Sequence, residues 1–194
     1  MVKNTTSLKG LNILLGVSGG IAAYKAVDLA SKLVKAAVVV KTVMTANACE
    51  LVGAKSFEGV TGSSVYTNLW SSSEEYKIGH VNLVDWTDII VVAPATANII
   101  GKIASGICDD LLSTLLCAGW QKPVLLAPAM NDKMWNNPAV KCNVKIVSDM
   151  GFDLIGPEKG RLACGAIGAG RMAEPDDILN KIKKMASEIK RTKK

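Results

Sequence analysis

The stretch "LNILLGVSGGIAAYK", Leu11 to Lys25, decides the fold. It opens with a short apolar run, Leu11–Val17, cut off by Ser-Gly-Gly. From Ile21 to Lys35 apolar residues then recur at helical spacing, at Ile21, Tyr24, Val27, Leu29 and Leu33. A buried strand turning directly into a helix opens a βαβ unit, the connection that parallel strands require. The pattern repeats along the chain. β-Branched Ala37–Thr45 predicts a second strand, Thr87–Thr96 a third, "KPVLLAPAM" (122–130) a fourth and "FDLIGP" (152–157) a fifth. Helical patterns occupy "ANIIGKIASGI" (97–107), "DDLLSTLLCAGW" (109–120), "PAVKCNVKIVSDMG" (138–151) and "PDDILNKIKKMASEIK" (175–190). The expectation is an α/β fold: a single Rossmann-like (flavodoxin-like) domain over residues 1–194, its parallel sheet covered by helices on both faces. Its core should span about 11–180, followed by a basic tail at 181–194. "WSSSEEYK" (Trp70–Lys77) predicts a loop over a site.

Composition narrows the partners. The net charge of +6 comes from residues 181–194, which hold seven Lys or Arg against one acid, Glu188; the remainder is neutral. Charge confined to a terminal helix is a solvated tail, not a nucleic-acid groove, which needs basic residues spread over a folded face. No apolar stretch approaches the roughly 20 residues of a membrane span. "MVKNTTSLKG" lacks the apolar core of a secretion signal. Five cysteines, odd in number and without a CxxC pair, and one His give no usual zinc spacing. These features predict a cytoplasmic protein with reduced thiols.

In doubly wound sheets ligands bind at the carboxyl ends of the strands. Those ends read "GVSGG", "MTANA", "APATAN", "APAMN" and "GPEKGRLACGAIGAGRM", small and polar residues throughout. Ser18, Gly19 and Gly20 place bare N–H groups at a helix start, which suits a phosphate, although a tight turn would need the same glycines. Asn98 and Asn131 offer amides that both donate and accept; Asn98 could equally cap a helix. His80 is the only histidine, and a lone histidine is as readily structural. Cys164 lies in a glycine-rich loop where access and backbone freedom favour chemistry. Cys49, Cys108, Cys117 and Cys142 lie in apolar or helical surroundings and read as packing.

"GVSGGIAAYK", "GHVNL" followed by "WTD", "APATAN", Gly106–Leu111 as GxxDxL, "PAMNDKMW" and "RLACG" occur together over Leu11–Pro175. In that combination the chain resembles the flavin-dependent cysteine decarboxylases, and within them the branch that decarboxylates 4′-phosphopantothenoylcysteine to 4′-phosphopantetheine for coenzyme A. The resemblance implies FMN bound between the subunits of a homotrimer, or of a larger assembly of trimers. It places flavin contacts on Ser18, Gly19, Gly20, Ile21, Thr45, Thr96, Asn98 and Ala129. It makes His80 the base and Cys164 the proton donor, and sets Asn131 at the substrate carboxylate. Met134, Arg161, Leu162 and Ala163 fall on the substrate side. A separate synthetase making the substrate is a further implied partner. The chain departs from the family at Ala166, where an acid is common, and at Asn82, where Glu is common. Peptidyl-cysteine decarboxylases and non-catalytic flavin-binding regulatory subunits share the fold and stand as alternatives.

Overall fold

The computed structural model describes residues 8–70, 79–161, 165 and 167–192, with backbone only for the last three. The chain runs β1 (Asn12–Val17), α1 (Ala23–Lys35), β2 (Val39–Met44), α2 (Ala46–Cys49), α3 (Ala54–Thr61), β3 (Val65–Tyr66), α4 (Gly79–Trp86), β4 (Ile89–Ala95), α5 (Ala97–Ser105) and α6 (Leu111–Ala118). It continues through β5 (Val124–Pro128), α7 (Asp132–Trp135), α8 (Pro138–Asp149), β6 (Asp153–Leu154), β7 (Glu158–Arg161), β8 (Ile167–Arg171) and α9 (Pro175–Thr192).

Six parallel strands form one sheet in the order β3-β2-β1-β4-β5-β6. That is the Rossmann order; without the two-residue edge strand β3 it reduces to the flavodoxin order. The expected α/β sheet is therefore present under both of its names. Side chains alternate across it with the strand period of two. Ile13, Leu15 and Val17 pack with Leu29, Phe57, Ile178 and Ile182 on one face, covered by α1, α3 and α9. Leu14 faces the other way, with Leu83, Ile99, Leu112 and Val147 from α4, α5, α6 and α8. Burial runs past the expected core: Leu8, Ile182, Met185 and Ala186 are all buried, so much of the basic tail is a packed helix.

Two boundaries have local causes. α1 ends without a glycine because Ala37 itself adopts the left-handed conformation at φ 60°, with its N–H bonded to Val34 O. β4 and β5 slip register between Val92 and Ala95, around Pro94, which has no N–H to give the ladder. The slip turns the Pro94 carbonyl to Ser18. Short elements escaped the sequence reading: α2, α3, β3 and α4 lie between the second and third expected strands, and the fifth strand is only two residues long. Among the described residues no helix is long and apolar enough to cross a membrane.

Candidate active site

β1 and β4 part company at the switch point of the sheet, with α1 and α5 departing from their carboxyl ends. Ser18 ties the two together. Its hydroxyl is buried, donates to Pro94 O at 2.7 Å, accepts from Thr96 N at 3.0 Å and lies 3.1 Å from Thr96 Oγ1. Thr96 in turn caps α5, accepting from Ile99 N, so Asn98 is not the cap. The Asn98 amide is exposed and has no partner among the described residues. Thr45 caps α2 in the same way, from Ala48 N.

The glycines of the first loop owe their identity to close approach. Neither Gly19 nor Gly20 has a positive φ. A Cβ on Gly19 would stand 2.4 Å from Asn47 Cβ and 2.9 Å from the Asn47 backbone carbon. The loop after β1 therefore lies directly on the loop after β2. Gly20 N–H is spent on Ser18 O, whereas the N–H groups of Gly19, Ile21 and Ala22 have no acceptor among the described residues. They stand at the positive end of α1, whose first turn carries no acidic residue.

A second pair of loops closes the opposite wall. Within the stretch expected as a glycine-rich loop, β7 (Glu158–Arg161) and β8 (Ile167–Arg171) pair as antiparallel strands. The pair is docked on the segment before α7: Met130 N donates to Gly170 O at 3.0 Å, and a Cβ on Gly170 would fall 2.1 Å from Met130 O. Asn131 caps α7, its Oδ1 accepting from Lys133 N at 2.9 Å. Its amide lines the cavity described below, and an Asn side chain carries both a donor and an acceptor.

Between these walls lies a cavity of about 1450 Å³. Ser18, Gly19, Gly20, Ile21, Thr45, Thr96, Asn98 and Ala129 all line it, as do Asn131, Met134 and Arg161. His80 does not; it is half-buried on α4, outside the lining. Leu162, Ala163, Cys164 and the departure at Ala166 lie outside the described residues.

The cavity is charged in a way the sequence reading missed. Lys25 pairs with Glu174 at 2.8 Å, and Arg171 with Glu158 at 2.8 Å. Lys102 bridges Asp109 and Asp110, each at 2.6 Å. Burial works against the Lys102 charge, but the two carboxylates outweigh it and hold its pKa above the ordinary value. Arg161 is the lining cation without an acidic partner among the described residues. The pairing of Lys25 with Glu174 spans most of the chain, so only the sheet topology brings them together. Three of the cysteines read as packing, Cys108, Cys117 and Cys142, are instead exposed. Cys117 and Cys142 do lie on helices, on the solvent side, and Cys108 lies between α5 and α6.

The site suits a flavin mononucleotide. Pockets for small ligands usually enclose about 300–1,000 Å³, so this one leaves room for a second ligand beside the cofactor. The N–H groups at α1 fit a phosphate, and Asn98 with the loop after β4 fits a polar ring edge.

The Flavoprotein family model matches residues 1–187. The chain is 46% identical over 181 residues to the coenzyme A biosynthesis bifunctional protein CoaBC of Bacillus subtilis (strain 168), covering 93% of this chain and 44% of that protein. It is 39% identical to the same-named protein of Escherichia coli (strain K12), over 90% of this chain and 43% of the relative. The chain thus spans less than half the length of the curated relatives it matches. Among solved structures it resembles a cysteine-to-serine mutant of PPC decarboxylase complexed with pantothenoylaminoethenethiol, at TM-score 0.80 and 36% identity, covering 90% of this chain and 97% of that one. It also resembles the FMN binding protein AtHal3, at TM-score 0.77 and 35% identity, covering 91% and 97%.

Proposed function

This chain belongs to the Flavoprotein family, and on that premise we propose that it is an FMN-dependent carboxy-lyase that converts 4′-phosphopantothenoylcysteine to 4′-phosphopantetheine in coenzyme A biosynthesis. The observation that carries the reading is a single cavity lined by every residue the sequence resemblance assigned to FMN.

Bound there, FMN supplies reversible two-electron oxidation of the carbon that carries sulfur, the electron sink an N-acylcysteine otherwise lacks. The protein's part is positioning and proton movement. The N–H groups of Gly19, Ile21 and Ala22 hold the cofactor phosphate, and Asn98 the ring edge. Asn131 contacts the substrate carboxylate, beside Met134. Arg161 neutralises an anionic end of the ligand, and Leu162 and Ala163, next in the sequence, are the further substrate contacts that the resemblance implies. His80 takes the proton released when the substrate thiol is activated, a general-base role that an imidazole side chain suits. Loss of CO2 leaves an enethiolate, and Cys164 donates the proton that its carbon takes up.

His80 lies outside the cavity of its own chain, and a second copy is the natural source of the base. The exposed apolar side chains of Ile21, Tyr24, Leu51 and Met134 ring the cavity mouth, a surface that a homotrimer or an assembly of trimers would cover. The enzyme works in the cytoplasm. A synthetase, fused or separate, supplies its substrate, consistent with the bifunctional name and greater length of its relatives.

Cys164→Ser tests the reading in one anaerobic turnover with 4′-phosphopantothenoylcysteine. Serine is a far weaker acid than a thiol of pKa about 8.5. The mutant should release CO2 and accumulate an enethiol, while the wild-type protein yields phosphopantetheine. The ligand named in the PPC decarboxylase complex is itself an enethiol. Wild-type protein that releases no CO2 overturns the function, and normal product from the mutant removes Cys164 from the mechanism.

A further inference from the structure

β7 and β8 flank Cys164 in the sequence, and the base of this strand pair is held by an ion network that the mechanism does not use. A single Glu174 oxygen, Oε1, takes Lys25 Nζ at 2.8 Å and Arg171 Nη2 at 3.4 Å. Arg171 Nη2 also donates to Glu158 Oε2 at 2.8 Å. The network spans the fold: Lys25 stands in the first turn of α1, Glu158 on β7, Arg171 on β8 and Glu174 just before α9. Lys25, Arg171 and Glu174 all line the large cavity.

Arg171 lies beside a bulge. Glu158 stands opposite Arg171 and Lys159 opposite Ala169, so Gly170 is an extra residue in β8. Its carbonyl accepts from Met130 N at 3.0 Å, one residue before Asn131. Past Arg171 the chain runs through buried Met172 and Ala173 to Glu174. The strand pair is thus held on two sides. Backbone fixes it to the segment that carries Asn131. Charge fixes it to α1, whose first N–H groups face the phosphate site.

We propose that Glu174 is a positioning residue for the reaction: through Arg171 it sets the β7–β8 pair against α1, and with it the place from which Cys164 protonates the enethiolate. The inference rests on the proposed decarboxylation. Without the Glu174 carboxylate, Arg171 keeps its pair with Glu158, which lies within the two strands. The strands therefore hold to each other and lose their tie to α1. A misplacement of about 1 Å can slow a step by up to about 100-fold. The step assigned to Cys164 should bear this loss, because it depends on what those strands carry.

The test is one anaerobic turnover of the full-length, flavin-loaded protein with 4′-phosphopantothenoylcysteine, with enethiol and phosphopantetheine counted by mass against CO2. Counting per CO2 removes the effect of any unfolded fraction. Wild-type protein should give phosphopantetheine. Glu174→Ala should release CO2 and shift the product towards enethiol, with protonation slowed by up to about 100-fold. Arg171→Met removes the other end of the tie and should leak alike; the double variant should leak no more than either. Trypsin should also cut at Lys159 and Arg161 faster in both single variants. Wild-type product ratios from both single variants overturn the positioning role. A double variant whose leak multiplies those of the singles shows that the two residues act separately, and unchanged trypsin cleavage shows that Glu174 does not act through the strands; either result overturns the tie. Wild-type protein that releases no CO2 overturns the proposed function, and this inference with it.

Discussion

The cavity has two kinds of wall. At the switch point, Ser18, Pro94 and Thr96 are bonded to one another through buried groups, and Gly19 is pressed on Asn47. Everything there is settled within one chain. On the other side stand the β7–β8 hairpin, exposed Met134 and Arg161, which has no acidic partner among the described residues, while His80 sits on α4 away from the lining. The first wall is built from backbone, and side chains serve to lock it. In the proposed function the second carries the chemistry, on side chains. Holding a flavin and using it are thus separable properties of this molecule, and substitutions should divide along that line.

The largest effect should come from the open side. His80→Asn keeps a similar volume and removes the proposed base. Turnover should fall by roughly 10²–10⁴, while FMN stays bound and the melting temperature is unchanged. Anaerobic mixing with substrate reads this directly, because the flavin should stay oxidised. A mutant whose flavin bleaches at the wild-type rate would place His80 among structural residues and erase the division.

The locked side should fail in the opposite way. Gly19→Ala forces a methyl group onto the Asn47 backbone, and overpacking of this kind costs about 1–3 kcal/mol. The loops after β1 and β2 must separate, so flavin retention and thermal stability should drop together. Gly53→Ala is the control: its Cβ would meet nothing within 4 Å, and its φ of −66° suits any residue. Equal melting temperatures for the two variants would mean that the loop contact carries no weight.

The locked wall was largely legible in the sequence, and the open one was not. Apolar runs ended by Ser-Gly-Gly or by Ala-Pro announce parallel strands and the rim at their ends, because burial on both faces removes polar alternation. The same reasoning gave no sign of β3, since a two-residue strand is too short for any period, and it found β6 as the fifth strand but made it longer than its two residues. It took the hairpin for a loop because Gly160, Gly168 and Gly170 mask its alternation; Gly170 is there to admit Met130 O. The cysteines of α6 and α8 lie in genuine helical patterns, but a period shows which residues share a face and not how far the covering extends. The joining of Lys25 to Glu174, or of Lys102 to Asp110, needs the packed structure.

The smallest effect separates two readings of Ser18, as a flavin contact and as a tie between strands. Ser18→Ala removes the hydroxyl that Pro94 O, Thr96 N and Thr96 Oγ1 share. Pro94 O still receives the Ser18 N–H at 3.4 Å, so the main orphan is the Thr96 N–H at the start of α5. A polar group left unsatisfied in a buried setting costs about 1–3 kcal/mol; with one partner retained, the lower half of that range, about 1–2 kcal/mol, is expected. The loss should appear in denaturant unfolding of flavin-free protein, because the network exists without the cofactor. FMN affinity should then change little, since the Ser18 hydroxyl has one proton and Pro94 O holds it. If instead the flavin-free stability is unaltered and FMN binding weakens, Ser18 faces the cofactor and the wall is locked by something else.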